Sequence, residues 1–425
     1  MGILIKNVQL WDEEIGKRRN IYIEGSRITG IDQEPEHFSE DETIDGSHKV
    51  MMPGFVNAHT HAYMSVFRNY ADDLPFAEWL FEKIDPLESN LTSEQAYWGN
   101  MLSIIEMIRT GTTCFVDMHM FPEMAVKACA DSGIRGVITR GLVGSDRNDE
   151  ACARRVKEAL DEIDYAANEP AANVTFGLGP HAIYTAGEDV LRYVAELAKE
   201  KGLFINIHAT ETPYEYETCL KEHGKTPIAY LKDCGILDGP ALLAHCVYLD
   251  DEDYAILRES GASVATNPAS NMKLGNGFAP VARMLDEGIN VCLGTDGASS
   301  NNALNMFREL NLLTLTQKGV TKDTTALNAE TTMKIAVENG YKAVGLGKKG
   351  GKIEKGRIAD VILLDEEAPN FQPKFNWKAA FAYSASGYEV SDVLVAGKVL
   401  MRNRILTTID EERVNYEIAK AVSKF

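Results

Sequence analysis

Between residues 54 and 296 the chain repeats one pattern, and that pattern leaves few folds open. Short apolar or β-branched runs at 54–59, 113–117, 136–140, 174–178, 203–208, 241–245, 263–267 and 290–296 alternate with longer stretches of helical period. Segments such as 93–109, 190–201 and 251–259 are amphipathic, and several such stretches open with Ser, Thr or Asp caps. Near-continuous apolar strands separated by helices predict a parallel sheet whose outer face the helices cover. Eight such units over about 240 residues fit an α/β fold of the closed (β/α)8 TIM type. An open doubly wound sheet is the competing arrangement, because periodicity does not show closure.

The two ends follow a different rule. Residues 1–53 and 351–405 alternate with period two around turn signals, as in Ile21-Tyr22-Ile23-Glu24-Gly25-Ser26-Arg27-Ile28. Each stretch is too short to bury a core of its own. Together they predict one small β-sandwich domain, interrupted by the barrel at 54–350 and followed by a C-terminal helix at 406–425. Composition narrows the function. Lys and Arg total 43 against 63 Asp and Glu, a formal charge of −20. A surface so acidic repels phosphate backbones and argues against nucleic acid as a partner. No apolar run approaches the roughly 18 residues of a membrane span. The first residues lack a secretory pattern, and Lys6 breaks the acylation motif. Seven cysteines are scattered without Cys-x-x-Cys spacing, so neither a disulfide framework nor a cysteine metal site is expected, and the expected location is cytoplasmic.

Most of the histidines sit at strand ends. Nine occur in all; His59, His61, His208 and His245 close apolar runs and His181 follows one. In a (β/α)8 barrel these ends share one mouth, where the side chains should converge. His59 and His61, at i and i+2, share one face of their strand. Neutral imidazoles side by side in a low-dielectric interior are costly unless a cation uses their lone pairs. His208 and Asp296 end the fifth and eighth runs and complete a set of three histidines and one carboxylate. Such a set suits one divalent metal per chain with an open position, Zn²⁺ first, with Fe²⁺, Mn²⁺ or Ni²⁺ also acceptable. Asp296 could hold the ion through one oxygen and take a proton on the other, or simply cap the turn Thr295-Asp296-Gly297. Glu211, three residues after His208, is placed for proton transfer to a substrate ring nitrogen, or for capping before Pro213. His245 reads as a general acid/base beside the metal water, or as a satisfied core histidine.

Taken together, Pro53-Gly54-Phe55-Val56-Asn57-Ala58-His59-Thr60-His61, His208-Ala209-Thr210-Glu211, Ala244-His245-Cys246 and Gly294-Thr295-Asp296-Gly297 resemble the amidohydrolase superfamily. Within it they resemble the mononuclear branch of cytosine deaminase, guanine deaminase and s-triazine hydrolases. The resemblance spans nearly the whole chain, including the split β-domain. Binuclear relatives use a carboxylated lysine on strand four; here Gly177-Leu178-Gly179-Pro180-His181 ends that strand without one, which implies a single metal. Trp79-Leu80-Phe81, Asp85-Pro86-Leu87-Glu88, Thr139-Arg140-Gly141-Leu142, Gly179-Pro180-His181 and the segment 267–277 are similar to the 5-methylthioadenosine/S-adenosylhomocysteine deaminase family. That likeness implies that Glu88 binds ribose hydroxyls and that Arg140 and His181 contact substrate. It also implies a second arginine after the third strand, Arg155 by best match and Arg154 as the alternative. The residue chemistry agrees, since a carboxylate accepts both hydroxyls of a diol and a guanidinium forks a carboxylate; surface ion pairs are the plainer reading of the same residues.

The implied reaction is hydrolytic deamination of S-adenosylhomocysteine or 5′-methylthioadenosine to the inosine analogue and ammonia. Glu211, His245 and Asp296 would be catalytic, and Glu88, Arg140, Arg155, His181 and Glu211 would bind substrate. The rivals are guanine deamination or triazine dechlorination on the same scaffold, and an inactive metal-binding scaffold. Glu211 favours deamination, because ammonia leaves a heteroaromatic ring only with a proton donor at hand. The expected partner is a small-molecule nucleoside, and homo-oligomerisation is left open by the sequence.

Overall fold

The computed structural model describes residues 2–168 and 173–423. Met1 of the first expected segment, residues 169–172 of the barrel segment, and residues 424 and 425 of the expected terminal helix lie outside the described residues. All eight expected strands form: Phe55–Thr60, Thr112–His119, Arg135–Leu142, Val174–Pro180, Phe204–Ala209, Ala241–His245, Ser263–Thr266 and Asn290–Leu293. Each pairs in parallel with the next in chain order. The eighth returns to the first, where the Asp296 amide donates to the His59 carbonyl at 2.9 Å. The Thr295 amide also donates to Asn57 Oδ1 at 2.9 Å, and Asn57 Nδ2 donates to Thr295 Oγ1 at 2.7 Å. These bonds select the barrel over the open sheet. Its interior is packed with small and branched side chains from six strands, Val56, Cys114, Val137, Leu242, Ala265 and Cys292 among them. Tyr341, fully buried, meets Thr113 at 3.2 Å and plugs the end opposite the mouth.

Helices cover the outside of the barrel. Ser93–Arg109 starts at a capping box, in which the Gln95 amide donates to Thr92 Oγ1 and the Thr92 amide to Gln95 Oε1. Glu188–Lys201 and Asp251–Ser260 end on left-handed Gly202 and Gly261. The terminal helix Glu411–Val422 docks on Ser93–Arg109, with Gln95 Nε2 donating to the Ala421 carbonyl at 3.1 Å.

The chain ends build one nine-stranded sheet. Lys49–Pro53 joins the two halves by pairing antiparallel with Val361–Asp365. The expected sandwich is thus made from a single sheet that curls on itself: Arg27 bridges Ile358, and the turn at Gly25 meets the turn at Gly397. A Cβ on Gly397 would stand 1.9 Å from the Gly25 carbonyl, so only glycine allows the two turns to meet. Most pairs are antiparallel, but Gly2–Leu10 runs parallel to both Glu42–Asp45 and Lys49–Pro53. Ile5, Ile21, Ile23, Ile44 and Leu363 are fully buried in the core this curl encloses. Among the described residues no helix is long and apolar enough to cross a membrane.

Candidate active site

Strand one carries His59, with His61 just beyond its end; strand five carries His208, with Glu211 in the loop that follows. His245 ends strand six, His181 follows strand four, and Asp296 lies three residues past strand eight. His245 and Asp296 both have left-handed backbones, φ +75° and +63°. Non-glycine residues rarely adopt that conformation, and such strain is characteristic of functional sites.

The hydrogen bonds around the imidazoles show what the site can hold. His61 Nδ1 faces the Met118 carbonyl at 3.0 Å, and His208 Nδ1 faces the His181 carbonyl at 2.7 Å. A carbonyl only accepts, so both Nδ1 atoms carry the proton and both Nε2 atoms present lone pairs. Those Nε2 atoms stand 3.2 Å apart, with neither able to donate to the other. Among the described residues, fully buried His59 has no hydrogen-bond partner at either ring nitrogen. Asp296 Oδ1 lies 3.5 Å from His59 Nε2 and 3.6 Å from His61 Nε2. Converging lone pairs and a carboxylate, out of water, are stable together only around a cation. Two ligands on one tetrahedral zinc stand about 3.3 Å apart, so the spacing fits such an ion. His59, His61 and His208 form one metal-capable group, and His59, His245 and Asp296 form another that shares His59.

Burial sets the charge states. It lowers His59 to about 4, His181 to about 3 and His208 well below its ordinary value, so all three are neutral at physiological pH. Burial would raise Asp296, yet the neighbouring His59, His245 and His61 hold it well below the usual range. Burial raises Glu211 against the opposing pull of His245. His245 itself would be depressed by burial, but the carboxylates of Glu211 and Asp296 hold it above the ordinary range. Glu211 Oε2 and His245 Nε2 are 3.9 Å apart, and Asn276 Nδ2 donates to Glu211 Oε1 at 3.0 Å. His245 Nδ1 is fixed by Asn271 Oδ1 at 2.8 Å. Asp296 Oδ2 accepts the hydroxyls of Ser270 at 2.6 Å and Ser300 at 2.8 Å.

These groups open into a cavity of about 440 Å³ whose outer wall is apolar, with Phe76, Trp79, Leu80 and Leu274 in its lining. Glu88 also lines it, accepts the Tyr63 hydroxyl and is raised by burial. A profile of the amidohydrolase family matches residues 50–400. The chain belongs to that family. Over 424 residues this amidohydrolase is 43% identical to the 5-methylthioadenosine/S-adenosylhomocysteine deaminase of Thermoanaerobacter pseudethanolicus, covering 99% of this chain and 98% of that protein. It is 41% identical over 420 residues to the 5′-deoxyadenosine deaminase of Methanocaldococcus jannaschii, covering 98% of each. A solved adenosine deaminase from Xanthomonas campestris with bound zinc superposes with a TM-score of 0.92 at 28% identity, covering 99% of this chain and 98% of that one.

Of the residues singled out from the sequence of this amidohydrolase, His61, His181, His208, His245, Glu211, Glu88 and Asp296 line the one cavity, and His59 is buried against them. The arginines are not in its lining. Arg140 sends Nε and Nη2 to Glu158 at 3.1 Å and Nη1 to the Gly141 carbonyl at 2.8 Å. Arg155 donates to the Val143 carbonyl at 3.3 Å, and Arg154 is exposed against Glu158. Gly141 and Val143 are wall residues, so Arg140 and Arg155 each bond the backbone of the wall. The reason is local: the helix after strand three, Glu150–Asn168, presents Glu158 to Arg140 and Arg154. Sequence reasoning did not assign Ser270, Asn271, Asn276, Ser300 or Tyr63. The first three lie in the segment 267–277, whose polar run straight after strand seven was the available signal; nothing local marks Ser300 or Tyr63.

Proposed function

We propose that this amidohydrolase is a metal-dependent deaminase of adenine nucleosides bearing a 5′ substituent, with S-adenosylhomocysteine or 5′-methylthioadenosine as substrate and the inosine analogue plus ammonia as products. The observation that carries the reading is a buried, raised Glu211 beside His245, at the rim of converging imidazole lone pairs and Asp296. The names of the full-length relatives support the same reading.

His59, His61, His208 and Asp296 would hold the metal, zinc by first choice, as in the solved Xanthomonas campestris deaminase. A divalent ion there supplies Lewis acidity that lowers the pKa of water towards about 7. The protein does the rest. Glu211, whose carboxyl burial pushes up, donates a proton to the ring nitrogen next to the carbon that bears the amine. Asp296 Oδ1 faces the ligand histidines while Oδ2, held by Ser270 and Ser300, is oriented to take the proton of the attacking water and pass it to the departing amine. The C–N bond breaks, the hydroxyl on the tetrahedral carbon gives its proton to Glu211 as the C=O bond forms, and ammonia leaves. His245, fixed through Asn271, steadies the charge on Glu211 and Asp296. His181, tied through Nδ1 to Thr185 Oγ1 at 2.8 Å, contacts the base. Glu88, anchored by Tyr63, accepts the ribose hydroxyls.

The test is ammonia release by purified metal-loaded protein offered adenosine, 5′-methylthioadenosine, S-adenosylhomocysteine and guanine. The reading expects the two thioethers to be the best substrates. Turnover of guanine alone would replace it with the guanine-deaminase alternative, and no ammonia from any of them would leave triazine dechlorination or the metal-binding scaffold.

A further inference from the structure

Among the described residues, the cavity lining holds no lysine or arginine, yet it holds one carboxylate that the chemistry above does not use. Asp85 opens the short helix Asp85–Glu88, so its side chain and that of Glu88 fall one helical turn apart in the same wall. Glu88 has the Tyr63 hydroxyl as partner, whereas Asp85 has no hydrogen bond or ion pair from its carboxylate to another described residue. Around it Trp79, Leu80 and Phe81 make that wall apolar, and burial raises the Asp85 carboxyl. A half-buried carboxylate in such surroundings is stabilised chiefly by a cation. Asp85 therefore stands in the cavity wall as an acceptor without a donor, one helical turn from Glu88, and the α-ammonium group of an amino-acid tail is a donor of matching charge.

We infer that Asp85 is a specificity-determining residue that takes the α-ammonium group of an amino acid joined through a thioether to the nucleoside 5′ carbon. The inference rests on the proposed function and deepens it: the preferred substrate class is the amino-acid thioether rather than the small alkyl thioether.

The test compares kcat/KM for S-adenosylhomocysteine, for its analogue lacking the α-amine, and for 5′-methylthioadenosine, in the native holoenzyme and in Asp85→Asn. Loss of a charge-assisted hydrogen bond should lower the ratio of S-adenosylhomocysteine to 5′-methylthioadenosine by about tenfold or more. The desamino analogue should be about as poor for the native enzyme as S-adenosylhomocysteine is for the variant, and should not respond to the substitution. An unchanged ratio in Asp85→Asn, or an equal loss on both thioethers, overturns the inference. Calorimetric binding of S-inosylhomocysteine and 5′-methylthioinosine to both proteins reads Asp85 without turnover. A shifted affinity ratio without any ammonia release would keep Asp85 and discard the deaminase reading, whereas ammonia release with an unshifted ratio would do the reverse.

Discussion

At the scale of single residues, the site works by denying its polar groups ordinary partners. The Nε2 lone pairs of His61 and His208 face each other because each Nδ1 is spent on a carbonyl. Glu211 is expected to move a proton without holding the metal. Glu211→Gln should therefore retain about one metal per chain and lose roughly 10²–10⁴-fold in kcat. Metal analysis beside turnover decides this: metal lost together with activity makes Glu211 a ligand or a folding residue. Glu215 gives a second, thermodynamic prediction. Burial raises it to about 7 from an ordinary value near 4.5, while its Oε2 accepts the Glu211 amide at 2.8 Å. Between those values the native protein keeps a proton that the unfolded chain has released, so stability falls as pH rises through this window and levels off above it. Glu215→Gln removes that titration. Denaturant unfolding at pH 5 and pH 8 should show the native protein losing about 1–3 kcal/mol more than the variant; equal losses would mean that Glu215 does not titrate there.

At the scale of elements, the reading from sequence succeeded where one periodicity controls the outcome. Apolar runs that end in histidine become barrel strands, and strand polarity alone sends His59, His208 and His245 to the same end. The metal-capable cluster was legible for that reason. The partners that tune it were not, because they depend on how distant segments pack. Ser300 reaches Asp296 from the loop after strand eight, and Asn271 reaches His245 from the short helix Pro268–Lys273. Arg140 shows the same limit: its motif implied substrate contact, and only the packing reveals that Glu158 on the following helix bonds its guanidinium. The curl of the terminal sheet was equally hidden, since period two specifies strands and not which turns meet. Close approach between strands four and five yields a test. At Gly177 a Cβ would lie 2.5 Å from the Phe204 carbonyl oxygen, which the ladder holds in place. Gly177→Ala should therefore lower stability by about 2–4 kcal/mol, read as a lower thermal midpoint at unchanged metal concentration. A midpoint within a degree of the parent would show that the two strands separate freely.

At the scale of the whole molecule, the barrel is closed by the contacts that place Asp296. The Asp296 amide donates to the His59 carbonyl, joining the eighth strand to the first where the two proposed ligands stand together. Metal held by the proposed ligands would therefore be coupled to barrel closure. An ion that binds only the native state should raise the thermal midpoint in proportion to the logarithm of its free concentration. The acidic surface, with a formal charge of −20, fits a protein whose ligand is a small nucleoside rather than a polyanion. The central claim is that one metal in this cluster is required for deamination. The measurement that tests it most directly is the rate of ammonia release from S-adenosylhomocysteine as zinc is titrated into chelator-stripped protein. The rate should start near zero, rise linearly and break at one equivalent per chain, with His61→Ala showing no such rise. Full activity in the stripped protein, or a linear rise that continues to two equivalents, would contradict the account.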